Sequence, residues 1–204
     1  MRQQYLVPGV HGFTLPAAGY GVPFAYEDAS SLHVVVRTDR GVFTDLSRLS
    51  DGSYTLTQMP AAAPGFPDPS LSGASTITRA DIPVRTAANS RLFLYSKPYS
   101  AKPSAWVARD TGVIITGVPA VTADPAATYI AGYSPDQTLA FLNGQPGAMT
   151  VSHNVNQKLV FDPAIIRDPN TGLIFVFTID RDGALVELRR TLSDQWSVRL
   201  PAFP

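Results

Sequence analysis

The sequence predicts an all-β chain, built as one or two β-sandwich-like modules from meanders and hairpins. Three observations carry this. Short runs rich in Val, Thr, Tyr and Phe recur along the chain and suit a pleated, half-buried surface. Tight turns, such as Asp39-Arg40-Gly41, Asp51-Gly52 and Asp180-Arg181-Asp182-Gly183, separate them. Eighteen prolines and fifteen glycines punctuate the 204 residues too often for long helices.

Residues 1–20 are apolar but broken by Pro8, Gly9, Gly12, Pro16 and Gly19, the pattern of an ordinary tied-down terminus or, less often, of an arm or edge strand that packs on a neighbour. Phe24 and Tyr26 then lead into a three-strand meander: Val34-Val35-Val36, Val42 to Leu46, and Tyr54 to Thr57. Met59 to Ser75 is a long Pro, Ala, Gly and Ser loop. Ile77 to Arg85 and Arg91 to Tyr95 return to strand character. Lys97 to Ser104 clusters proline with polar residues and marks a junction, dividing the chain into modules 1–100 and 101–204.

In the second half, Trp106 to Ala108 and Gly112 to Val118 read as strands around a turn at Arg109 to Gly112. Asp124-Pro125 has the chemistry of a helix N-cap and first position, predicting a short helix into Ile130. Leu139 to Leu142, ending in Asn143-Gly144, and Lys158 to Phe161 are strands. Leu173 to Ile179 is the strongest strand, its continuous apolar run predicting burial on both faces. The Asp180 to Gly183 turn leads into Ala184 to Leu188, and Trp196 to Leu200 closes the sheet. The late meander aligns under the early one, Leu32 to Val36 over Leu173 to Phe177, which suggests a duplicated module.

Acidic and basic residues balance at 16 each, so no net field recruits nucleic acid or an anionic membrane. The absence of cysteine excludes disulfides and thiolate chemistry. The first residues hold no apolar core of signal-peptide length, and no segment nears the roughly 20 apolar residues of a membrane helix. His11, His33 and His153 share no metal-ligand spacing, and His33 reads as a satisfied strand imidazole. Glutamate occurs only at positions 27 and 187, so a glycosidase would rely on aspartates such as Asp45, Asp162 or Asp180, and nothing in the spacing pairs them. No nucleophile elbow, phosphate loop or zinc-protease motif occurs. The expectation is a protein without catalysis, cofactor or metal.

Phe24-Ala25-Tyr26, the valines 34–36, the Tyr54 to Thr57 closure, Ile77-Thr78-Arg79 and Ile82 to Thr86 together resemble the N-terminal, virion-attaching domain of T7-like podovirus tail fibres. The resemblance covers roughly residues 20–87. The loop 59–75 is longer than that pattern has, and no fibre shaft follows Thr86. It implies a structural tail component, an adaptor or short appendage, made in the host cytoplasm and docked on other tail or connector proteins. On that reading the chain is a homo-oligomer whose interface candidates are Tyr5, Leu6, Val7, Phe13, Phe24, Tyr26 and Phe66. The alternative is a receptor- or carbohydrate-binding β-sandwich module. Tyr20, Tyr95, Tyr99, Trp106, Tyr129 and Tyr133 would then stack on sugars if they lined a groove.

Overall fold

The computed structural model describes residues 19–28, 31–38, 42–61, 71–100, 104–153 and 158–200. Among these residues sixteen strands form four antiparallel sheets of four strands each, and none is helical. The chain is all-β.

The first sheet holds β1 (Gly19–Glu27), β2 (Leu32–Thr38), β3 (Phe43–Arg48) and β4 (Tyr54–Gln58). The second holds β5 (Ala74–Ser75), β6 (Arg79–Arg85), β7 (Arg91–Pro98) and β8 (Val107–Ile114). The third holds β9 (Thr116–Ala123), β10 (Thr128–Tyr133), β11 (Leu139–Gln145) and β12 (Ala148–His153). The fourth holds β13 (Ala164–Arg167), β14 (Ile174–Ile179), β15 (Leu185–Arg190) and β16 (Trp196–Arg199). In every sheet spatial order equals chain order, so each is a meander closed by hairpins. The turn after each second strand closes alike. Thr38, Thr86, Ser134 and Asp180 each donate their N–H to the first carbonyl beyond the turn, at Val42, Arg91, Thr138 and Ala184. These positions recur about 47 residues apart, so the repeating unit is one sheet, within the period range of repeat architectures.

The sheets stack face to face, and the first strands meet in succession, β1 on β5, β5 on β9, β9 on β13. This is how successive blades of a β-propeller are arranged. Three apolar cores fill the three seams. Val35 and Phe43 of the first sheet pack with Ile82, Val84, Phe93 and Tyr95 of the second. Leu92 and Leu94 meet Ile130, Ala140 and Leu142 of the third. Phe141 and Leu139 meet Val176, Val186 and Leu188 of the fourth. Among the described residues no fourth core joins the last sheet to the first.

Several expectations change. Asp124 does not cap a helix: its Oδ1 accepts from the N–H groups of Ala126 and Ala127 and turns β9 into β10, the same side-chain chemistry serving a tight strand connection. Arg109 to Gly112 is not a turn but part of β8. A bulge there, with Gly112 at φ 77°, puts extra residues opposite the step from Arg91 to Phe93. Lys158 to Phe161 is not a strand. Asn143-Gly144 lies inside β11, which runs on to Gln145. The apolar run of β14 alternates, with Ile174, Val176 and Thr178 buried and Phe175, Phe177 and Ile179 half-buried. Since β7 pairs with β8 across the 97–104 stretch, a boundary at residue 100 would run through the second sheet. Tyr5, Leu6, Val7, Phe13 and Phe66 lie outside the described residues.

Candidate functional site

Each seam is closed by a polar cluster around an aspartate, and the clusters differ in what they leave open. In the seam between the second and third sheets, Arg79 Nε donates to Asp81 Oδ2 at 2.8 Å. Ser96 and Thr128 each donate a hydroxyl to the same carboxylate at 2.6 Å. The Arg79 guanidinium also reaches the carbonyls of Asp124 and Pro125 at 3.0 Å. Between the third and fourth sheets, Arg167 pairs with Asp124 at 2.9 Å. Burial pushes the neighbouring Tyr129 hydroxyl above its ordinary pKa, with the Asp124 charge adding to it. Both clusters tie neighbouring sheets together through a charge pair, and both are clamps.

The seam between the first and second sheets is richer. Strand alternation sends Phe24, Tyr26, His33, Val35, Phe43, Asp45 and Ser47 to one face of the first sheet, toward the second. Asp45, with its side chain 1% exposed, accepts from Tyr26 Oη at 2.8 Å, Trp106 Nε1 at 2.8 Å and Lys97 Nζ at 3.0 Å, all at Oδ2. Its Oδ1 lies 3.0 Å from His33 Nδ1, and the other ring nitrogen lies 3.0 Å from Asp28 Oδ2. Ser47 Oγ is 2.8 Å from His33 Nδ1. Burial pushes the Asp45 carboxyl up, but hydrogen bonds from His33, Trp106 and Tyr26 and the Lys97 ammonium more than offset it, bringing its pKa to about 2. Burial, then the Asp45 charge, pushes the Tyr26 hydroxyl far above its ordinary value.

An aromatic column stands against this network. Tyr26 stacks on Phe24 at 5.7 Å, on His33 at 4.5 Å and on Tyr99 at 6.1 Å between centroids, and Trp106 meets it edge-on at 5.8 Å. Gly73 packs directly on the Phe24 ring, where a Cβ would come within 2.4 Å, so only glycine fits without a shift. The column opens outward through Phe24 and Tyr99, both half-buried, and the network through Asp28 and Ser47. The Tyr99 hydroxyl is shielded from water and has no hydrogen-bond partner among the described residues. The seam therefore sets aromatic rings, a carboxylate and a hydroxyl at its half-buried edge, with one unsatisfied phenol shielded from water beside them.

Asp45 gives this seam a pH signature. Its folded pKa of about 2 lies below the ordinary carboxylate value near ~3.9. The stabilisation is therefore complete above about pH 4 and is lost as pH falls through about 2. A shift of that size corresponds to about 2–3 kcal/mol. Thermal melts from pH 5 to pH 2 should show a steep acid loss of stability that is clearly shallower in Asp45→Asn; equal slopes would remove Asp45 as its source.

No protein-family model and no curated protein matches the chain. Solved structures do. A fucose lectin from Kordia zhangzhouensis, in complex with methyl-fucoside, superposes with a TM-score of 0.53 at 13% identity, over 64% of this chain and 99% of the lectin. The BP39L lectin from Burkholderia pseudomallei gives a TM-score of 0.63 at 15% identity, over 94% of this chain and 60% of that one. A Trypanosoma rangeli sialidase gives 0.60 at 7% identity, over 96% and 40%. The chain thus spans little more than half of the longer lectin and less than half of the sialidase. At such identities the likeness is one of fold, shared by sugar-binding proteins and an enzyme alike.

Of the residues singled out in the sequence, Phe24, Tyr26, Tyr99 and Trp106 meet in this seam, Tyr26 and Trp106 deep within it. Tyr95 is buried nearby, edge-on to Phe43. Tyr129 and Tyr133 are half-buried beside the third and fourth sheets' core. The three candidate aspartates do not converge. Asp45 is buried here, Asp162 accepts from the Val118 N–H across the third seam, and Asp180 caps its own hairpin. Sequence reading missed Asp28 and Lys97, which nothing in their local pattern marks. Only the register of β1–β3 and the crossing of β7 bring them to Tyr26.

Proposed function

We propose that this protein is a non-catalytic carbohydrate-binding module whose sugar site is the mouth of the seam between the first and second sheets. The observation that carries the reading is the Phe24–Tyr26–Tyr99 column beside Asp28 and Ser47. The C–H face of a sugar ring stacks on an aromatic face, while its hydroxyls donate to a carboxylate and accept from a phenol. Asp28 supplies the carboxylate, and the Tyr99 phenol, its hydroxyl buried and without a partner among the described residues, comes into reach as its ring turns toward the ligand. The fold shared with two lectins supports the reading.

The test is a glycan array with the full chain, followed by titration of the strongest ligand. Asp28→Asn and Tyr99→Phe each remove one hydrogen bond, one of them charge-assisted, and should weaken binding by about 10- to 100-fold, the equivalent of roughly 1.5–3 kcal/mol. Array silence, or unchanged affinity in both folded variants, would sink the assignment. A virion location is a separate proposal, carried by the likeness of residues 20–87 to tail-fibre attachment domains. A glycan-binding tail appendage would satisfy both.

A further inference from the structure

The stack of sheets ends on two open faces, and we infer that these faces dock head-to-tail, the fourth sheet of one copy on the first sheet of a second copy. Among the described residues, the second and third sheets are covered on both faces by core, the first and fourth on one face only. The outer face of the first sheet carries an aliphatic row, Ala25, Val34, Leu46 and Leu56 in register across β1 to β4. Leu32, 48% exposed, and Leu56, 39% exposed, stand uncovered on it. Glu27 and Arg48 flank Leu32 in the next row, both exposed.

The outer face of the fourth sheet is its counterpart. Phe175 and Phe177 stack there at 6.5 Å beside Ile166, which is 55% exposed, and line a cleft of about 370 Å³. Glu187 pairs in register with Phe177, and Arg189 lies over the Phe175 ring at 5.8 Å. The Arg189 Nε is shielded from solvent with no hydrogen-bond partner among the described residues. Each face thus offers an apolar centre with at least one acid and one base, Asp168 joining Glu187 at the fourth-sheet cleft. Glu27 can meet Arg189, and Arg48 can meet Glu187, when the faces come together.

Packing one such face on the other continues the geometry that already joins the four sheets within the chain. The contact is heterologous, because different faces meet, and it closes when the stack returns on itself. Two copies supply eight sheets, the upper end of the usual range for closed rings of four-stranded blades. The occupant is therefore a second copy, and the assembly is a closed dimer with two identical head-to-tail contacts.

Two variants test this on the full chain: Leu32→Glu/Leu56→Glu on the first sheet and Ile166→Glu on the fourth, all at exposed positions. Light scattering of the wild type at two concentrations should give twice the chain mass of 21.9 kDa. Each variant alone should fall to half that mass with its sheet circular dichroism unchanged. Mixed one to one, they should regain a two-chain mass, because the intact fourth sheet of one meets the intact first sheet of the other. A monomeric wild type, with the chain's own remaining residues covering the faces, overturns the proposal. So does a polymer that grows with concentration. If only one variant dissociates and mixing rescues nothing, the faces pair like with like and the head-to-tail contact is excluded.

Discussion

Replacing Asp45 with alanine is expected to lower the midpoint of thermal unfolding by roughly 6–20 °C, the equivalent of about 3–5 kcal/mol in a chain of this size. One carboxylate here answers four groups from both sheets: Tyr26 and His33 on one side, Lys97 and Trp106 on the other. Without it, the buried Lys97 ammonium has no carboxylate in contact, its remaining neighbours being the Tyr26 hydroxyl at 2.9 Å and the His33 ring nitrogen at 3.4 Å. The cost comes chiefly from that stranded charge and from the indole N–H left unpaired. The double variant Asp45→Ala/Lys97→Met should therefore recover part of the loss, because it removes both charges together. Calorimetry or denaturant titration of the two variants decides it. A single variant within 1 kcal/mol of the wild type would mean that water has replaced the carboxylate.

The second large effect is expected at Arg79. Arg79→Met keeps most of the side-chain length but strands Asp81, which is fully buried and would retain only the hydroxyls of Ser96 and Thr128. It also unpairs the carbonyls of Asp124 and Pro125, which the guanidinium holds across the seam. A loss of about 3–5 kcal/mol follows from breaking a buried pair on one side only. The change should also be visible locally, as faster amide exchange in the 124–128 turn, since that turn is tied to the second sheet through this arginine. Unchanged exchange there would assign the clamp to apolar packing alone.

What the sequence made legible follows the range over which each signal acts. The β14–β15 hairpin was readable because its turn chemistry and its apolar runs are contiguous, and Asp180 closes the turn within four residues. Asp124 misled for the same reason in reverse. An aspartate accepting the next two or three N–H groups is common to a helix N-cap and a strand turn, and only β10 pairing with β9 separates them. The bulge in β8 made an in-strand glycine look like a turn. The repeat was visible as similarity between the first and last meanders, yet its unit is one sheet, not half of the chain. The intervening sheets carry Thr86 and Ser134 at the matching hairpins with little else in common. The candidate site was legible only as aromatic residues. Its polar half is assembled by register and by a lysine from the neighbouring sheet, contacts that span 52 to 71 positions in Lys97's case and leave no local trace.

Every sheet here is finished by consecutive strands, and sheets touch through their faces without exchanging strands. Such a chain can grow or shrink by whole units, because inserting or deleting one meander leaves every remaining register intact and only lengthens or shortens the pile. The solved neighbours differ in length. The Kordia lectin is accounted for by about two-thirds of this chain, whereas BP39L continues well beyond it. The number of seams is then a variable separate from the chemistry of any one seam, and a site built in one of them can be copied, lost or silenced independently. In this chain the three seams have already diverged, two as sealed clamps and one with an open mouth.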